Sequence, residues 1–164
     1  MLAQAVERVA EMMPEKLRGT LLLRAFGLTK VPMLFLSAPI VEEISEERCA
    51  IRIPLNYLTR NHVRSMYIAV LTMGADVAGG LIALDAARKA GARVVPIFKD
   101  LKADFIKRAH GDVRFVCEEG AAIYALIDRV VETGERQNLP VHVTATVRGE
   151  KVADFVLTLS VKRR

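Results

Sequence analysis

A long apolar run from Ser65 to Leu84 dominates the hydrophobic pattern of the chain. It contains one charge, Asp76, and no proline, and its many Ala, Leu and Met residues favour a helix. Its apolar positions lie all round the helix rather than along one stripe, which predicts a helix that is buried on every side. Arg88 and Lys89 followed by Gly91 are typical of a helix that ends near residue 90.

The same run is about 20 residues long, the length of a membrane-spanning helix. Two observations oppose a span. Asp76 near its centre would cost about 3 kcal/mol in lipid, and no Trp or Tyr belt lies at its far end. We therefore expect a buried helix and no membrane partner. Because a buried Asp usually has a partner or a function, Asp76 becomes the first candidate for chemistry.

Two short amphipathic helices and then two strands are predicted upstream of this run. The helices span residues 2–13 and 15–26, with Gly27 as the stop of the second. The strands span residues 32–44 and 48–55. The first is rich in apolar and β-branched residues and is broken near Pro39, and the second alternates in polarity.

Alternating polarity downstream of the run predicts long antiparallel strands on both sides of one more helix. The strands cover residues 93–108, 112–119, 139–147 and 152–161. A bend or bulge is expected in the first of them, from Pro96 and the run Lys99-Asp-Leu-Lys102. An apolar stripe over residues 120–135 favours a helix, although a continued strand stays open there.

A helix without a polar face is buried only if other elements surround it, and the remaining elements are mostly antiparallel strands. This predicts an α+β hotdog fold, in which a curved antiparallel sheet wraps a long central helix. The extra N-terminal helices are expected to form a separate segment, residues 1–29, and the hotdog domain is expected to span residues 30–164.

Composition narrows the functional classes. A chain of 164 residues, 52% hydrophobic and 26% charged, can fold round one core and is not disordered. The net charge of +5 suits an anionic substrate, but 5% aromatic residues and no Trp do not indicate nucleic-acid binding. Cys49 and Cys117 lie in apolar strands and are expected to be reduced core thiols. With no secretion signal evident, the expected location is the cytoplasm.

Two local patterns resemble the hotdog-fold thioesterases, in particular the phenylacetic-acid-type acyl-CoA thioesterase-like proteins and their DUF4442 relatives. One is Asn61-His-Val-Arg-Ser-Met-Tyr67, which leads into the long helix with Asp76 nine residues further on. The other is Phe105-Ile-Lys-Arg-Ala-His-Gly-Asp112. The resemblance covers about residues 32–161. The family opens this helix with His-Gly-Gly, where this chain has Tyr67-Ile68-Ala69.

The resemblance implies hydrolysis of an acyl-CoA thioester at an interface between subunits of a homodimer or homotetramer. Asp76 matches the acid of the family and would be the general base or nucleophile. Asn61 matches its asparagine and would hold the carbonyl or the water. Backbone N–H groups at Tyr67, Ile68 and Ala69 would stabilise the oxyanion. The departure from His-Gly-Gly leaves open a second hypothesis, a hotdog protein that binds acyl-CoA or fatty acid without hydrolysis.

Lys107 and Arg108 end a strand and are candidates for holding the phosphates of CoA. No cofactor is expected besides the CoA of the substrate. No metal is expected either, because the histidines lack ligand spacing to each other and to cysteine. Structural roles stay open for the same residues: Asp76 could bond a neighbouring loop or a partner subunit, Asn61 could form a turn, and Lys107 and Arg108 could be a solvated strand end.

Overall fold

The computed structural model describes residues 14–91 and 93–163, so the helix predicted over residues 2–13 lies outside the described residues. The helices are α1 (Glu15–Lys30), α2 (Pro32–Leu36), α3 (Ile68–Lys89) and α4 (Gly120–Thr133). The strands are β1 (Ile40–Ile44), β2 (Cys49–Ile53), β3 (Val94–Phe105), β4 (Val113–Cys117), β5 (Gln137–Val147) and β6 (Glu150–Arg163).

The six strands form one antiparallel sheet in the order β1-β2-β4-β5-β6-β3. A tight turn at Arg148 and Gly149 joins β5 to β6, and both residues have positive φ, which suits the twist of a two-residue hairpin. β1 lies at one edge of the sheet and contacts α1. β3 lies at the other edge, and no described strand pairs with its outer side.

The long helix α3 lies across the sheet and contacts five strands, β2 to β6. Its close approach requires Gly74, since a Cβ there would lie 2.3 Å from the ring of the fully buried Phe115. The helix ends at Lys89 as predicted, and Gly91 follows with a φ of +61°. α4 packs beside α3 and against β5 and β6, which confirms a helix rather than a strand over this segment.

The prediction that α3 is buried on every side is wrong. Asp76 is exposed, and Ile68 and Leu84 retain 52% and 43% of their accessible surface. The sheet covers only part of the helix, and a cavity separates the rest of it from α1. By length and composition α3 could cross a membrane, but half of its apolar stretch is buried inside the protein, as in the core helix of an α+β domain.

Two further predictions on the N-terminal side are wrong. The strand predicted over residues 32–44 begins only at Ile40, because Pro32–Leu36 is a short helix with Pro at its first position. The helix α1 does not stop at Gly27. A Cβ at Gly27 would lie 2.8 Å from the backbone nitrogen of Phe35, so this glycine allows α2 to pack onto α1. The division between residues 29 and 30 stays a prediction.

The bend or bulge expected in β3 is confirmed, because the pairing of β3 with β6 shifts register between Phe98 and Leu101, at the start of the run Lys99-Asp-Leu-Lys102. Cys49 and Cys117 face each other across β2 and β4, and both are fully buried free thiols. Burial raises the pKa of Cys49 to about 12 and that of Cys117 to about 11.

Candidate functional site

A cavity of about 1080 Å³ lies between the core helix and the N-terminal helices. Its walls come mainly from α1, from one side of α3 and from β1 with the turn that follows it, and the first half of β3 contributes a smaller part. Most of the side chains on these walls are apolar, among them Leu22, Phe26, Met73, Val77, Leu81 and Phe98. A cavity of this size and character can hold the chain of an amphiphilic ligand.

Asp76 lies on the α3 wall of this cavity. It is accessible to solvent, but the surrounding protein displaces much of the water near its carboxylate, and this desolvation raises the pKa of Asp76 above its ordinary value. Across residues 14–91 and 93–163 the carboxylate has no hydrogen-bond or ion-pair partner. A bond to a neighbouring loop within the described residues therefore does not explain it.

The two glycines that follow Asp76 have different surroundings. Gly80 lies on the cavity wall, and a Cβ there would meet only Phe98, at 3.8 Å. Gly79 faces the sheet, where a Cβ would lie 3.2 Å from both Phe98 and Val141. Close packing therefore accounts for Gly79, whereas Gly80 leaves room beside the carboxylate for a ligand.

The start of α3 offers two free backbone donors. Tyr67 is the N-cap residue, and its N–H already donates to the carbonyl oxygen of Thr59 at 2.8 Å. The N–H groups of Ile68 and Ala69, which begin the helix, have no acceptor in the described part of the chain. Such groups, at the positive end of the helix dipole, can bind an anionic oxygen.

Asn61 shapes the loop before α3. Its Oδ1 accepts the backbone N–H groups of Val63 and Ser65, each at 3.1 Å, and its Nδ2 donates to the Ser65 hydroxyl at 3.0 Å. These bonds satisfy the side chain within its own turn. The geometry supports the turn-forming role of Asn61 over contact with a substrate.

The structure brings Lys107 and Arg108 to the start of α3, because the N–H of Met66 donates to the carbonyl of Ala109 at 2.9 Å. Both line a small cavity of about 290 Å³ beside this loop. Arg108 is exposed, and the Lys107 ammonium lies 3.0 Å from Glu150. Asp76 is not part of this group, since it lies eight residues beyond Ile68, which is about 12 Å along the helix axis.

A polar cluster lies on the wall of the large cavity near the C-terminal end of α3, and it was not predicted from the sequence. Asp85 accepts hydrogen bonds from the Tyr124 hydroxyl at 2.6 Å and from Arg88 at 2.7 Å, and Lys89 lies 3.2 Å from it. Burial acts to raise the pKa of Asp85, but these donors outweigh it and hold that pKa below its usual value. The spacing of Asp85 to Arg88 and Lys89 on a helix could have indicated the ion pairs, but nothing local indicates Tyr124.

Within the ranges 14–91 and 93–163, no group of three or more His, Cys, Asp or Glu side chains is arranged to hold a metal ion.

The candidate site consists of an unpaired carboxylate in a mostly apolar cavity and, on the same helix, an N-terminus with free backbone N–H groups beside two cationic side chains. The carboxylate can accept a proton, and the amides can stabilise an oxyanion.

A long helix held across a curved antiparallel sheet defines a hotdog protein, as the sequence predicted. Residues 19–161 match the family described as Domain of unknown function (DUF4442), and the chain belongs to that family. The predicted resemblance is therefore confirmed.

Solved structures from several bacteria share this fold. A protein of unknown function from Pseudomonas aeruginosa, described as a probable thioesterase, is 25% identical with a TM-score of 0.74 over 93% of this chain and 97% of that chain. A thioesterase from Haemophilus influenzae is 12% identical with a TM-score of 0.65, over 87% and 88% of the two chains. A protein of unknown function from Chlorobaculum tepidum is 11% identical with a TM-score of 0.76, over 91% and 97%. A search of the curated proteins found no match.

Proposed function

We propose that the protein hydrolyses acyl-CoA thioesters, with the Asp76 carboxylate as general base or nucleophile. The observation that carries this proposal is the carboxylate itself, which has no partner in the described residues, lies in a mostly apolar cavity and has a raised pKa. The thioesterases that share the hotdog fold with this chain support the same reaction class.

A raised pKa makes Asp76 a stronger base than a fully hydrated carboxylate. As a general base it would take a proton from a water molecule whose oxygen attacks the thioester carbonyl carbon. When the carbon–sulfur bond breaks, the protonated carboxyl would return its proton to the departing thiolate. The products are a carboxylic acid and the free thiol of CoA. As a nucleophile, the carboxylate would attack the carbonyl carbon and expel the CoA thiolate, which takes a proton from solvent. Water would then hydrolyse the resulting anhydride, releasing the carboxylic acid and regenerating the Asp76 carboxylate.

The N–H groups of Ile68 and Ala69 would bind the oxygen of the tetrahedral intermediate. They are free donors at the start of a helix of 22 residues, whose dipole favours negative charge at this end. The N–H of Tyr67 is not included, because Thr59 already accepts it.

A carbonyl group, about 1.2 Å long, cannot contact both the start of α3 and Asp76 about 12 Å further along the same helix. We infer that Asp76 of one subunit works with the helix start of another. The outer edge of β3 is suited to such an assembly, since it is unpaired among the described strands and exposes Val95, Ile97, Leu101 and Phe105. A homodimer or homotetramer follows from this inference.

Lys107 and Arg108 lie beside the helix start, where charge-assisted contacts could hold the phosphates of CoA. The acyl chain would then occupy the large cavity, with Gly80 leaving space for it. No cofactor beyond the CoA of the substrate is part of the proposal. The cytoplasm is the compartment in which we place this reaction.

The second candidate function is binding of acyl-CoA or fatty acid without hydrolysis. The side chains of Tyr67 and Ile68 favour it, because both are exposed at the helix start, where the resemblance leads us to expect histidine and glycine. A panel of acyl-CoA substrates separates the two functions. Release of free thiol supports hydrolysis, and tight binding of acyl-CoA without release of thiol selects the binding protein.

The oxyanion role can be tested with little change to the fold by the substitution Ile68→Pro. Ile68 is the first helical residue, where proline is tolerated, and Tyr67 before it has a ψ of 140°, which a following proline accepts. The change removes one donor and should reduce turnover about 10²-fold, whereas the control Ile68→Ala keeps the N–H and should stay active. Equal turnover of the two variants would contradict this role.

Mixing two inactive variants tests the shared site. Because the proposed site takes Asp76 and the helix start from different subunits, a hybrid of Ile68→Pro and Asp76→Asn subunits contains one intact site. Random exchange should restore about a quarter of the wild-type activity in a two-fold symmetric dimer. A mixture that stays inactive, although subunit exchange is verified by a mass-tagged copy, would contradict the shared site.

A further inference from the structure

The end of α1 and the whole of α2 form a helical hairpin with an apolar tip. Residues 25–41 contain one charge, that of Lys30. Six large apolar side chains of this segment are exposed, with Met33 at 63% and Leu28 at 56% of their accessible surface. We define the apolar tip as Phe26, Leu28, Val31, Met33, Phe35 and Leu36. A surface of this kind usually marks an interaction site.

Polar side chains of this hairpin form hydrogen bonds with backbone carbonyl groups of the same segment. The Thr29 hydroxyl donates to the carbonyl of Ala25, and the Ser37 hydroxyl donates to that of Leu34, both at 2.8 Å. The guanidinium of Arg24 donates to the carbonyls of Ala38 and Pro39, each at 3.3 Å. The helical backbone satisfies most of its own amides. The tip can therefore enter an apolar medium without leaving these groups unpaired.

We propose that the apolar tip docks into the surface of an anionic lipid bilayer. A protein partner would need directional contacts, since protein interfaces carry about one hydrogen bond per 100–200 Å². The tip offers few, because the hydroxyls of Thr29 and Ser37 are already engaged. The one charge nearby, Lys30, is positive, and the chain carries a net charge of +5, so both complement anionic headgroups.

The docking surface lies next to the candidate site. Phe26, Val31 and Leu34 of the same hairpin line the cavity that holds Asp76. An amphiphile that leaves the bilayer beside the tip would therefore find an apolar cavity in the helices that contact the membrane. The expectation of no membrane partner rested on α3 not spanning a bilayer, whereas α1 and α2 would lie on the surface.

Flotation of the full-length protein with lipid vesicles tests the proposal. The wild type should float with vesicles of phosphatidylcholine and phosphatidylglycerol, bind much less to phosphatidylcholine alone, and be released by salt. The double variant Leu28→Glu/Met33→Glu should lose at least about tenfold in vesicle affinity, because two charges enter the tip. The control Leu58→Glu changes a leucine that is 63% exposed in the loop before α3 and should bind as the wild type does.

Three results would overturn the proposal. The wild type could fail to float with either vesicle, or bind both equally. The control could lose binding as fully as the double variant. The double variant could instead change the oligomeric size in light scattering, which would show that a second copy of the chain covers the tip. Because flotation uses no thioester, its result is independent of whether the protein hydrolyses acyl-CoA.

Discussion

Replacing Gly74 by alanine should destabilise the protein, although alanine is the better helix former. Gly74 lies at the closest approach of α3 to the sheet. An added Cβ would lie 2.3, 2.4 and 2.7 Å from three ring atoms of Phe115, which is fully buried. Either the ring or the helix must therefore move by about 1 Å into a closely packed core.

Two opposing terms determine the net change in the free energy of unfolding. Alanine gains about 1 kcal/mol over glycine inside a helix. Overpacking of a core costs about 1–3 kcal/mol and occasionally more, and the short distances to Phe115 place this site at the upper end. We expect a net loss of about 1–2 kcal/mol, which lowers the melting temperature by about 2–8 °C in a domain of this size.

Gly80→Ala is the matched control on the same helix. Its Cβ would meet only Phe98, at 3.8 Å, on the wall of the cavity. The helix propensity is then gained without a clash, and the variant should be more stable than the wild type by up to about 1 kcal/mol. The two variants are thus predicted to change stability in opposite directions.

Urea denaturation followed by circular dichroism measures both variants, at one protein concentration because the chain is proposed to associate. The midpoint should fall for Gly74→Ala and rise for Gly80→Ala. A Gly74→Ala protein as stable as the wild type would refute the reasoning, because α3 would then lie farther from β4 than the structure places it.

Three other measurements test the electrostatics. Cys49 and Cys117 should resist a thiol reagent at about pH 8 in the folded protein, because burial raises the pKa of both, and should react only on denaturation; rapid reaction of the native protein would disprove their burial. Asp76→Asn should raise the melting temperature near neutral pH, because the folded protein holds the Asp76 proton to a higher pH than the unfolded chain, whose carboxyl has a pKa of about 3.9. The wild type therefore loses stability as pH rises from the unfolded-state pKa to the higher folded-state pKa of Asp76. The stabilisation of Asp76→Asn over the wild type should vanish near pH 3, and a stabilisation that is constant with pH would contradict this. Tyr124→Phe should cost about 1–2 kcal/mol near neutral pH in urea denaturation, because it removes a hydrogen bond to the charged Asp85, and an unchanged midpoint would show that water replaces it.

Long secondary-structure elements could be predicted from local sequence patterns. The composition of α3 identifies a core helix, and the Lys89–Gly91 end follows from local chemistry. The short helix Pro32–Leu36 was not predictable in this way, because periodicity does not distinguish a brief apolar run in a helix from one in a strand. The continuation of α1 beyond Gly27 was not predictable either, because this glycine is explained by a tertiary contact with Phe35.

The candidate site was likewise predictable only in part from local sequence patterns. Asp76 could be identified as the one charge in an apolar run, but its exposure depends on the gap between α3 and α1, which no local pattern encodes. The approach of Arg108 to the start of α3 depends on the single hydrogen bond between Met66 and Ala109. Tyr124 reaches Asp85 from another helix, 39 residues away in sequence.

Thiol release from acyl-CoA by Asp76→Asn is the measurement that tests the central claim most directly. Asparagine keeps the size of the side chain but cannot take a proton from water. We predict turnover by the wild type, a loss of at least about 10²-fold in Asp76→Asn with acyl-CoA binding retained, and no loss in the control Asp128→Asn on the exposed side of α4. Wild-type turnover in Asp76→Asn would contradict the role of this carboxylate.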